Sequence, residues 1–393
     1  MASLSASVAS LPRPLRSAAL LGRLRAIAPE IEARAAELDS QAGALPAEDI
    51  ARLGDEGLLM APLPTSFGGC GWGVEPGTAR PLFQALRLVG RASLPLGRLF
   101  EGHVNALRLA FHHGTATQQA SAAAAARAGQ LFGVWNAEDP QHGLWLEPDA
   151  SGGGILHEGK ILCSGAGLVG QALVTARSGA DGPSLMLILP LEGQQQRADL
   201  SRWTPSGMRA SATGSFDFEG MQVARDEIHG GADAYFTQPG FSGGAWRFLA
   251  VQLGGMEALA EALRQHFLRT GRGADPHQAA RFGQVATAVE TARLWVQRAA
   301  VMAEDTESPP EQLLPYVDLA RGAVESAALE VLEHTQRSVG LQAFMRPAPV
   351  ERIARDLMTY LRQPGPDRAL ASGAAAWLHA PLPMGDAWDE TLP

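Results

Sequence analysis

Cysteine, lysine and long apolar runs are all scarce in this 393-residue chain. Its two cysteines, Cys70 and Cys163, are too few for a disulfide framework. We therefore expect two buried, unpaired thiols in a protein of a reducing compartment, the cytoplasm. The apolar run at 184–191 has the length of a strand, well short of the ~20 residues that span a bilayer. Lys160 is the only lysine among 32 basic residues, a bias that coding composition explains more simply than function.

Charge and motifs exclude further classes. A formal net charge of -9 argues against nucleic acid or an anionic membrane as the main partner. The sequence has no phosphate-binding loop, no dinucleotide G-x-G-x-x-G motif, no zinc spacing and no G-x-S-x-G. His112 and His113 lack acidic partners at metal spacing, so we expect no metal. The glycine-rich stretch at 151–154 joins two strand-like pieces, which favours a hairpin turn over a phosphate site.

The chain divides into three segments by its hydrophobic pattern. Residues 1–127 are mostly helical, with Asp49 to Leu59 spaced as one amphipathic helix and a glycine-rich turn after it. Residues 128–235 form short β-rich pieces between glycine, proline and aspartate turns, a β-barrel-like domain. Residues 236–393 return to long helices with heptad-like apolar spacing, typical of an antiparallel four-helix bundle. The predicted class is α+β.

Five stretches in order resemble conserved patterns of one family. They are LPAEDIARLGDEGLLMAPLPTSFGGCGWG (45–73), HEGKILCSGAGLVGQALVTAR (157–177), SGMRASATGSFDFEGMQVARDEI (206–228), HQAARFGQVATAVETAR (277–293) and RSVGLQAFMRPAPVERIARDL (337–357). Together they resemble the acyl-CoA dehydrogenase family over nearly the whole chain. The resemblance implies a helical domain, a β-domain and a helical bundle that hold FAD between them. It also implies a homo-oligomer, a dimer or tetramer, in which a neighbouring subunit completes the FAD site.

Three residues match, or stand in for, positions that the family places near the flavin ring. Ser164 matches a threonine whose hydroxyl approaches the ring, although a serine at a strand end has an equally good structural explanation. Trp135 and Asn136 stand where the family has a Thr-Glu-Pro loop, and WNAEDPQHG departs clearly from it. Asn136 still offers an amide to the flavin edge. The substrate-binding serine of that loop has no equivalent here.

Further cofactor positions come from the resemblance alone. Two glutamine-to-arginine exchanges, at 337 and 368, add positive charge that is compatible with a pyrophosphate, but they are equally compatible with solvated helix residues. The family arginine that reaches a flavin pyrophosphate falls on one of two arginines of RTGRGAD. The candidates are Arg269 or Arg272, Gln278, Arg337, Gly340 and Arg368.

The family's catalytic base is missing from its expected place. In the family a glutamate after the last Arg-Asp helix takes the α-proton of an acyl thioester, and counting from Arg355 puts Pro364 there. Some members place the base on an earlier helix, where this chain has Trp246. Neither side chain accepts a proton. Asp367 is the remaining candidate base, and a residue of the first turn of the next helix is its simpler interpretation.

Three functions stay open from the sequence. The first is an FAD-dependent oxidoreductase of the acyl-CoA dehydrogenase type that acts on a small-molecule substrate, an acyl-CoA or a relative, and passes electrons to an acceptor. The second is a flavin-dependent monooxygenase on the same fold, which uses oxygen and needs no α-proton base. The third is a binding protein that keeps the fold and has lost catalysis.

Overall fold

The computed structural model describes residues 15–41, 43–179, 181–304, 309–362 and 365–381, with residues 383 and 386. Its first part is helical. The α-helices are α1 (Ser17–Ser40), α2 (Ala47–Asp55), α3 (Ala79–Ala92), α4 (Leu94–His113) and α5 (Ala116–Arg127).

The prediction of one helix from Asp49 to Leu59 is wrong at its end. Helix α2 stops at Asp55, because Gly57 adopts a φ of 81°, the left-handed conformation that closes a helix. Leu58–Met60 then forms a separate 3-10 turn. The glycine-rich turn that follows is confirmed, since Gly68 and Gly71 have φ values of 85° and 70°.

The middle part consists of short strands. They are β1 (Phe132–Trp135), β2 (Trp145–Pro148), β3 (Gly154–His157), β4 (Gly159–Cys163), β5 (Gln171–Ser178), β6 (Ser184–Pro190), β7 (Ala198–Asp199), β8 (Gly214–Asp217), β9 (Gln222–Val223) and β10 (Ile228–His229). One sheet has the order β10-β6-β5-β2-β3-β9, with β1 also paired to β5, and a second has the order β4-β8-β7. The predicted hairpin at 151–154 is confirmed, because β2 and β3 pair antiparallel around it.

The last part is again helical. Its elements are α6 (Gly240–Gly243), α7 (Trp246–Thr270), α8 (Pro276–Glu304), α9 (Pro310–Val339), α10 (Pro349–Tyr360) and α11 (Pro366–Leu378). Trp246 at the start of α7 donates to Glu304 at the end of α8. Trp295, in the second half of α8, packs against Tyr316, in the first half of α9, with ring centroids 4.9 Å apart. These contacts show that α7, α8 and α9 run antiparallel, as the apolar pattern predicted.

Helix α10 joins all three parts. The Arg355 guanidinium is held by Asp39 of α1 at 2.6 Å, by Glu351 at 2.5 Å and by the backbone carbonyl of Ser206. The adjacent Asp356 accepts a hydrogen bond from the Met208 backbone N–H at 2.6 Å. Two stretches that carried the family resemblance, 206–228 and 337–357, therefore meet in space. The predicted α+β class and its helix–strand–helix order are confirmed, and the boundaries near 127 and 235 stay predictions.

Candidate functional site

A cleft of about 800 Å³ lies where the three parts meet. The β-strands and the 208–213 loop form one wall. Helix α4, the 235–248 segment, and helices α9, α10 and α11 form the others. One face of α4 presents Arg98, Glu101, Asn105 and Arg108 to the cleft, because residues three and four apart share a helix face.

Asn136 lines the cleft, and a buried hydrogen-bond relay orients its amide. The Lys160 ammonium, buried beneath the strands, donates to Glu138 at 2.7 Å and to the Thr175 hydroxyl at 3.1 Å. The Thr175 hydroxyl in turn donates to Asn136 Oδ1 at 2.7 Å. The amide oxygen is thereby occupied, and the two N–H donors of the Asn136 amide stay available to a ligand of the cleft.

Ser164 also lines the cleft, and its neighbours are polar. The Thr213 hydroxyl lies 3.4 Å from Ser164 Oγ, and Ser211 and Thr213 share a hydrogen bond of 2.7 Å. Trp135 is 1% exposed and packs on Phe216 at 5.4 Å, so its ring does not line the cleft. Its indole N–H donates to the Ser164 carbonyl at 2.9 Å, which gives Trp135 a supporting position.

Leu162 projects into the same wall in a strained conformation. Its φ is 54°, which is rare for a side chain of this size, and the β4–β8 register shifts between Lys160 and Cys163. Leu162 is nevertheless 57% exposed, with its apolar side chain in the cleft. Strained backbone that presents an apolar group in a cleft is a recurrent feature of binding sites.

Two groups of charges face the cleft from the helices. Arg98 pairs with Glu101 at 2.5 Å, and Glu101 also accepts from Asn105. Arg247 pairs with Glu304 at 2.5 Å. Arg108 lies in the same region, and burial together with the Arg247 charge lowers its pKa to about 10, so it stays protonated at neutral pH.

The second group lies between α9 and α11. Burial raises the pKa of Asp318, while a hydrogen bond from Ser372 and the charges of Arg321 and Arg368 oppose that rise. All four residues line the cleft. Of the candidates taken from the resemblance, the cleft therefore brings together Asn136, Ser164 and Arg368.

The other cofactor candidates lie at the opposite end of the bundle. Arg269 closes α7 and Gln278 opens α8, while Arg337 and Gly340 stand at the end of α9. From Trp246 to Arg269, α7 is ~35 Å long at 1.5 Å per residue. One chain does not bring these residues to the cleft. Gln278 Oε1 is buried and has no hydrogen-bond partner among the described residues, and Arg337 pairs with Glu333 on an exposed surface.

The base candidates are placed as follows. Pro364 lies outside the residues that the structure describes. Trp246 is fully buried, and its indole N–H donates to Glu304 at 3.2 Å. Asp367 is exposed in the first turn of α11 and is not among the described residues that line the cleft, although its neighbour Arg368 is.

Several residues of the site were missed from the sequence. Lys160 gave a signal, because a single lysine in an arginine-rich chain marks a place for a compact ammonium that a planar guanidinium does not fit. The stretch from Arg98 to Arg108 also gave a signal in the sequence, because its polar residues recur on one face of an otherwise apolar helix. Thr175, Leu162 and Asp318 gave none, because only the fold brings them to the cleft.

The remaining features are structural. Both cysteines are buried and unpaired, as predicted, and burial raises the pKa of each thiol. Within the described ranges, no group of three His, Cys, Asp or Glu side chains is arranged to hold a metal ion. No described helix has both the length and the apolarity that a membrane span requires.

The cleft fits a flavin ring by its chemistry. It offers an apolar face at Leu162, amide N–H donors at Asn136 and a hydroxyl at Ser164, together with arginines for a phosphate. The tight relay behind Asn136 fixes a donor at the cleft edge, as recognition of the polar edge of a flat ring requires.

Known proteins resemble this chain in sequence and fold. The sequence profile of "Acyl-CoA dehydrogenase, N-terminal domain" matches residues 22–129, and that of "Acyl-CoA dehydrogenase, C-terminal domain" matches residues 234–375. A dibenzothiophene monooxygenase of Rhodococcus erythropolis is 29% identical over 219 residues. In that alignment the chain spans about half of the relative, 51%, and 54% of its own length. A short-chain-specific acyl-CoA dehydrogenase of Clostridium acetobutylicum is 24% identical over 83% of this chain and 88% of its own.

A solved structure supports the same fold. TdsC of Paenibacillus sp. A11-2, determined with FMN and indole, superposes with a TM-score of 0.82 and 20% identity. The superposition covers 94% of this chain and 99% of that one. The profiles match most of the chain, the helix–strand–helix architecture agrees, and the cleft lies between the three parts. This chain belongs to the acyl-CoA dehydrogenase family, whose members are flavoproteins.

Proposed function

We propose that this protein is a flavin-dependent monooxygenase rather than an acyl-CoA dehydrogenase. The observation that carries the proposal is the shortage of a free carboxylate in the cleft. Of the described residues that line it, only Glu101 and Asp318 carry carboxylates. A dehydrogenase needs a carboxylate that is free to take the α-proton, whereas oxygenation of a substrate does not.

Glu101 is poorly suited to act as that base. Its carboxylate is buried, pairs with Arg98 at 2.5 Å and accepts a further hydrogen bond from the Asn105 amide. One carboxylate oxygen is taken by Arg98 and the other by Asn105, so neither is free to reach a substrate. Glu101 instead fixes the positions of Arg98 and Asn105 on the cleft face of α4.

A reduced flavin, when bound, supplies the two electrons with which one oxygen atom of O₂ enters a substrate while the other leaves as water. This chain's residues bind and orient. Asn136 and Ser164 offer hydrogen bonds to the polar edge of the ring, and Leu162 covers an apolar face. Tyr235 and Phe241 add aromatic surface to the lining of the cleft.

We propose FMN as the flavin, in place of the FAD that the resemblance implied. TdsC was determined with FMN. Of the candidates for binding the rest of an FAD, Arg368 lies in the cleft. The distant set, which lies at the other end of the bundle, consists of Arg269, Gln278, Arg337 and Gly340. That distant set would reach a flavin only in a neighbouring subunit. The exposed apolar side chains beside it, Leu341 and Phe344, favour a homo-oligomer through that face.

The test is an oxygen-incorporation assay on the purified full chain. The Kd values of FMN and FAD are measured first by fluorescence titration. Chemically reduced FMN and ¹⁸O₂ are then supplied with a panel of aromatic and sulfur-containing heterocycles. We expect ¹⁸O in one product. The proposal would be contradicted if no product contained ¹⁸O while acyl-CoA reduced an artificial electron acceptor. If the chain bound no flavin, the non-catalytic function would be favoured.

One observation supports the dehydrogenase as a second candidate. Asp318 lines the cleft, and burial raises its pKa, which is the usual property of a catalytic base. If acyl-CoA oxidation is found, Asp318→Asn should reduce it ~100-fold or more, since a positioned base contributes ~10²–10⁴ in rate. Asp318→Asn should leave ¹⁸O incorporation within about fivefold, because oxygenation needs no base there.

A further inference from the structure

The polar face of α4 extends from one end of the cleft to the other. Arg98 lies at the end beside the β-domain, where it lines a small recess together with Val134 and Ser164. Arg108 lies ten residues further along the helix, ~15 Å away at 1.5 Å per residue. The flavin-ring donors Asn136 and Ser164 are on the β-domain wall, so Arg108 lies toward the far end of the cleft.

Of the two arginines on this face, Arg108 is the one without an ion-pair partner among the described residues. Arg98 is neutralised by Glu101, and Arg247 by Glu304. No described residue makes a hydrogen bond or an ion pair with the Arg108 guanidinium, and the Glu304 carboxylate attracts it only from beyond ion-pair distance. A half-buried arginine beside a second arginine, with no described carboxylate within ion-pair distance, is an incomplete electrostatic arrangement that an anion would complete.

Glycines keep the space beside these arginines open. A Cβ on Gly240 would lie 3.5 Å from Arg108 Nη1, and a Cβ on Gly244 would lie 2.8 Å from Arg247 Nη1. Both guanidinium groups therefore lie against bare backbone in the wall formed by 238–245. A side chain at 244 would force the Arg247 guanidinium to move, whereas a Cβ at 240 would make ordinary van der Waals contact with Arg108.

Aromatic side chains share the cleft with Arg108. Phe241 adjoins Gly240, which lies beside the Arg108 guanidinium, whereas the Tyr235 hydroxyl feels the charges of Arg98 and Glu101. Tyr235 and Phe241 lie 5.4 Å apart, and Phe241 is 42% exposed toward the cleft. Burial raises the pKa of Tyr235 to about 12, so its hydroxyl stays a neutral donor. Phe248, on the same wall, lies under the Arg321 guanidinium at 5.7 Å.

From these contacts we infer that the cleft binds an organic anion with a flat apolar body, whose carboxylate or related oxyanion pairs with Arg108 while its body lies on Tyr235 and Phe241. The inference rests on the proposed function in one respect, which is that the flavin ring occupies the β-domain end. An oxyanion at Arg108 has two sources, the substrate or the phosphate of the flavin. The ~15 Å between Arg108 and the Arg98 end favours the substrate, and the test separates the two.

The test compares acids with their uncharged amides as probes. Benzoate and benzamide, and 2-naphthoate and 2-naphthamide, have nearly equal shapes and differ by one charge. Their Kd values are measured by calorimetry on the FMN-bound full chain, for wild type, Arg108→Gln, Arg108→Lys and the surface control Arg264→Gln. Arg264 is exposed on α7 and pairs with Glu261, away from the cleft. In parallel, Kd values of FMN and riboflavin are measured for each variant.

The expected result is a preference of wild type for at least one acid over its amide by about 10- to 100-fold, the range of a charge-assisted arginine pair. Arg108→Gln should abolish the preference, Arg108→Lys should retain part of it, and Arg264→Gln should retain all of it. The ratio of FMN to riboflavin affinity should stay within twofold in every variant.

Two outcomes would overturn the inference. One is equal affinity of wild type for every acid and its amide, or no binding of any probe at millimolar concentration. The other is an Arg108→Gln variant that loses the preference for FMN over riboflavin, which would assign Arg108 to the flavin phosphate. These measurements need neither oxygen nor turnover, so they stand apart from failure of the monooxygenase assay. The Arg108→Lys arm keeps the test valid if Arg108→Gln folds poorly.

Discussion

Thr175→Val is the sharpest test of the relay behind Asn136. Thr175 is buried, and its hydroxyl accepts from Lys160 at 3.1 Å and donates to Asn136 at 2.7 Å. Valine keeps the shape and removes both hydrogen bonds. The bond from the ammonium contributes about 1.5–3 kcal/mol and the neutral one about 0.5–1.5 kcal/mol. We expect the free energy of unfolding to fall by about 2–4.5 kcal/mol.

The same change should weaken flavin binding. Without the Thr175 hydroxyl, the Asn136 amide rotates freely, and its N–H groups no longer stay fixed toward the cleft. Loss of about 1 kcal/mol of oriented hydrogen bonding corresponds to a Kd of FMN that is about fivefold to tenfold weaker. The measurements are urea unfolding of the flavin-free protein and fluorescence titration with FMN.

Thr175→Ser is the matched control. It keeps the hydroxyl and deletes one buried methyl group, so it should lose about 1 kcal/mol of stability and bind FMN within twofold of wild type. The two variants thus separate stability from affinity. If Thr175→Val binds FMN as tightly as wild type, the relay does not orient a flavin donor and the role assigned to Asn136 is wrong.

Three further predictions concern a candidate base, the ion pairs of Arg355 on α10 and the loss of stability at acidic pH. Asp367→Asn should change turnover less than twofold in a steady-state assay, because Asp367 is exposed and does not line the described cleft. Arg355→Met should lower the free energy of unfolding in urea by about 3 kcal/mol, because Asp39 and Glu351 would keep buried charges without their cation. Burial lowers the pKa of His103 from 6.5 to about 4, so only the unfolded chain binds a proton between these values, and stability should fall by about 3 kcal/mol from pH 7.5 to pH 4.

Each of these has a control. A tenfold loss of turnover in Asp367→Asn would restore Asp367 as a base. Arg293→Gln removes an exposed ion pair and should cost less than about 0.5 kcal/mol, and an equal cost for Arg355→Met would contradict the bridging role. The His103 ring donates to Leu59 and accepts from the Phe132 N–H, so His103→Gln should be less stable at neutral pH. The variant should also show a smaller loss on acidification, and an unchanged loss would refute the assignment to His103.

Much of the fold was readable from residue patterns. The apolar period predicted the helix–strand–helix order, and the glycines at 68 and 71 predicted the irregular turn, because backbone conformation there depends on local sterics. The end of α2 was misplaced by a few residues, since Gly57 lies within an unbroken apolar pattern that does not show where the helix stops.

The site was only partly readable, and its residues show why. Asn136, Ser164 and Arg368 were found through the resemblance, and the structure brings them to one cleft. The resemblance also proposed four residues that lie at the other end of the bundle, ~35 Å along α7 from the cleft. They are Arg269, Gln278, Arg337 and Gly340. A sequence motif does not show how far apart its residues lie in the folded protein.

By itself, the sequence determined the architecture and the family, and it predicts through the resemblance that the usual glutamate is absent at 364 and 246. Only the tertiary structure decided that Thr175 orients Asn136, that a strained Leu162 faces the cleft, and that Arg108 has no ion-pair partner among the described residues. The physical reason is that helix and strand periods are local, whereas hydrogen-bond partners and ion pairs are set by which surfaces pack together. Thr175 and Asn136 are 39 residues apart, and no pattern of that range relates them.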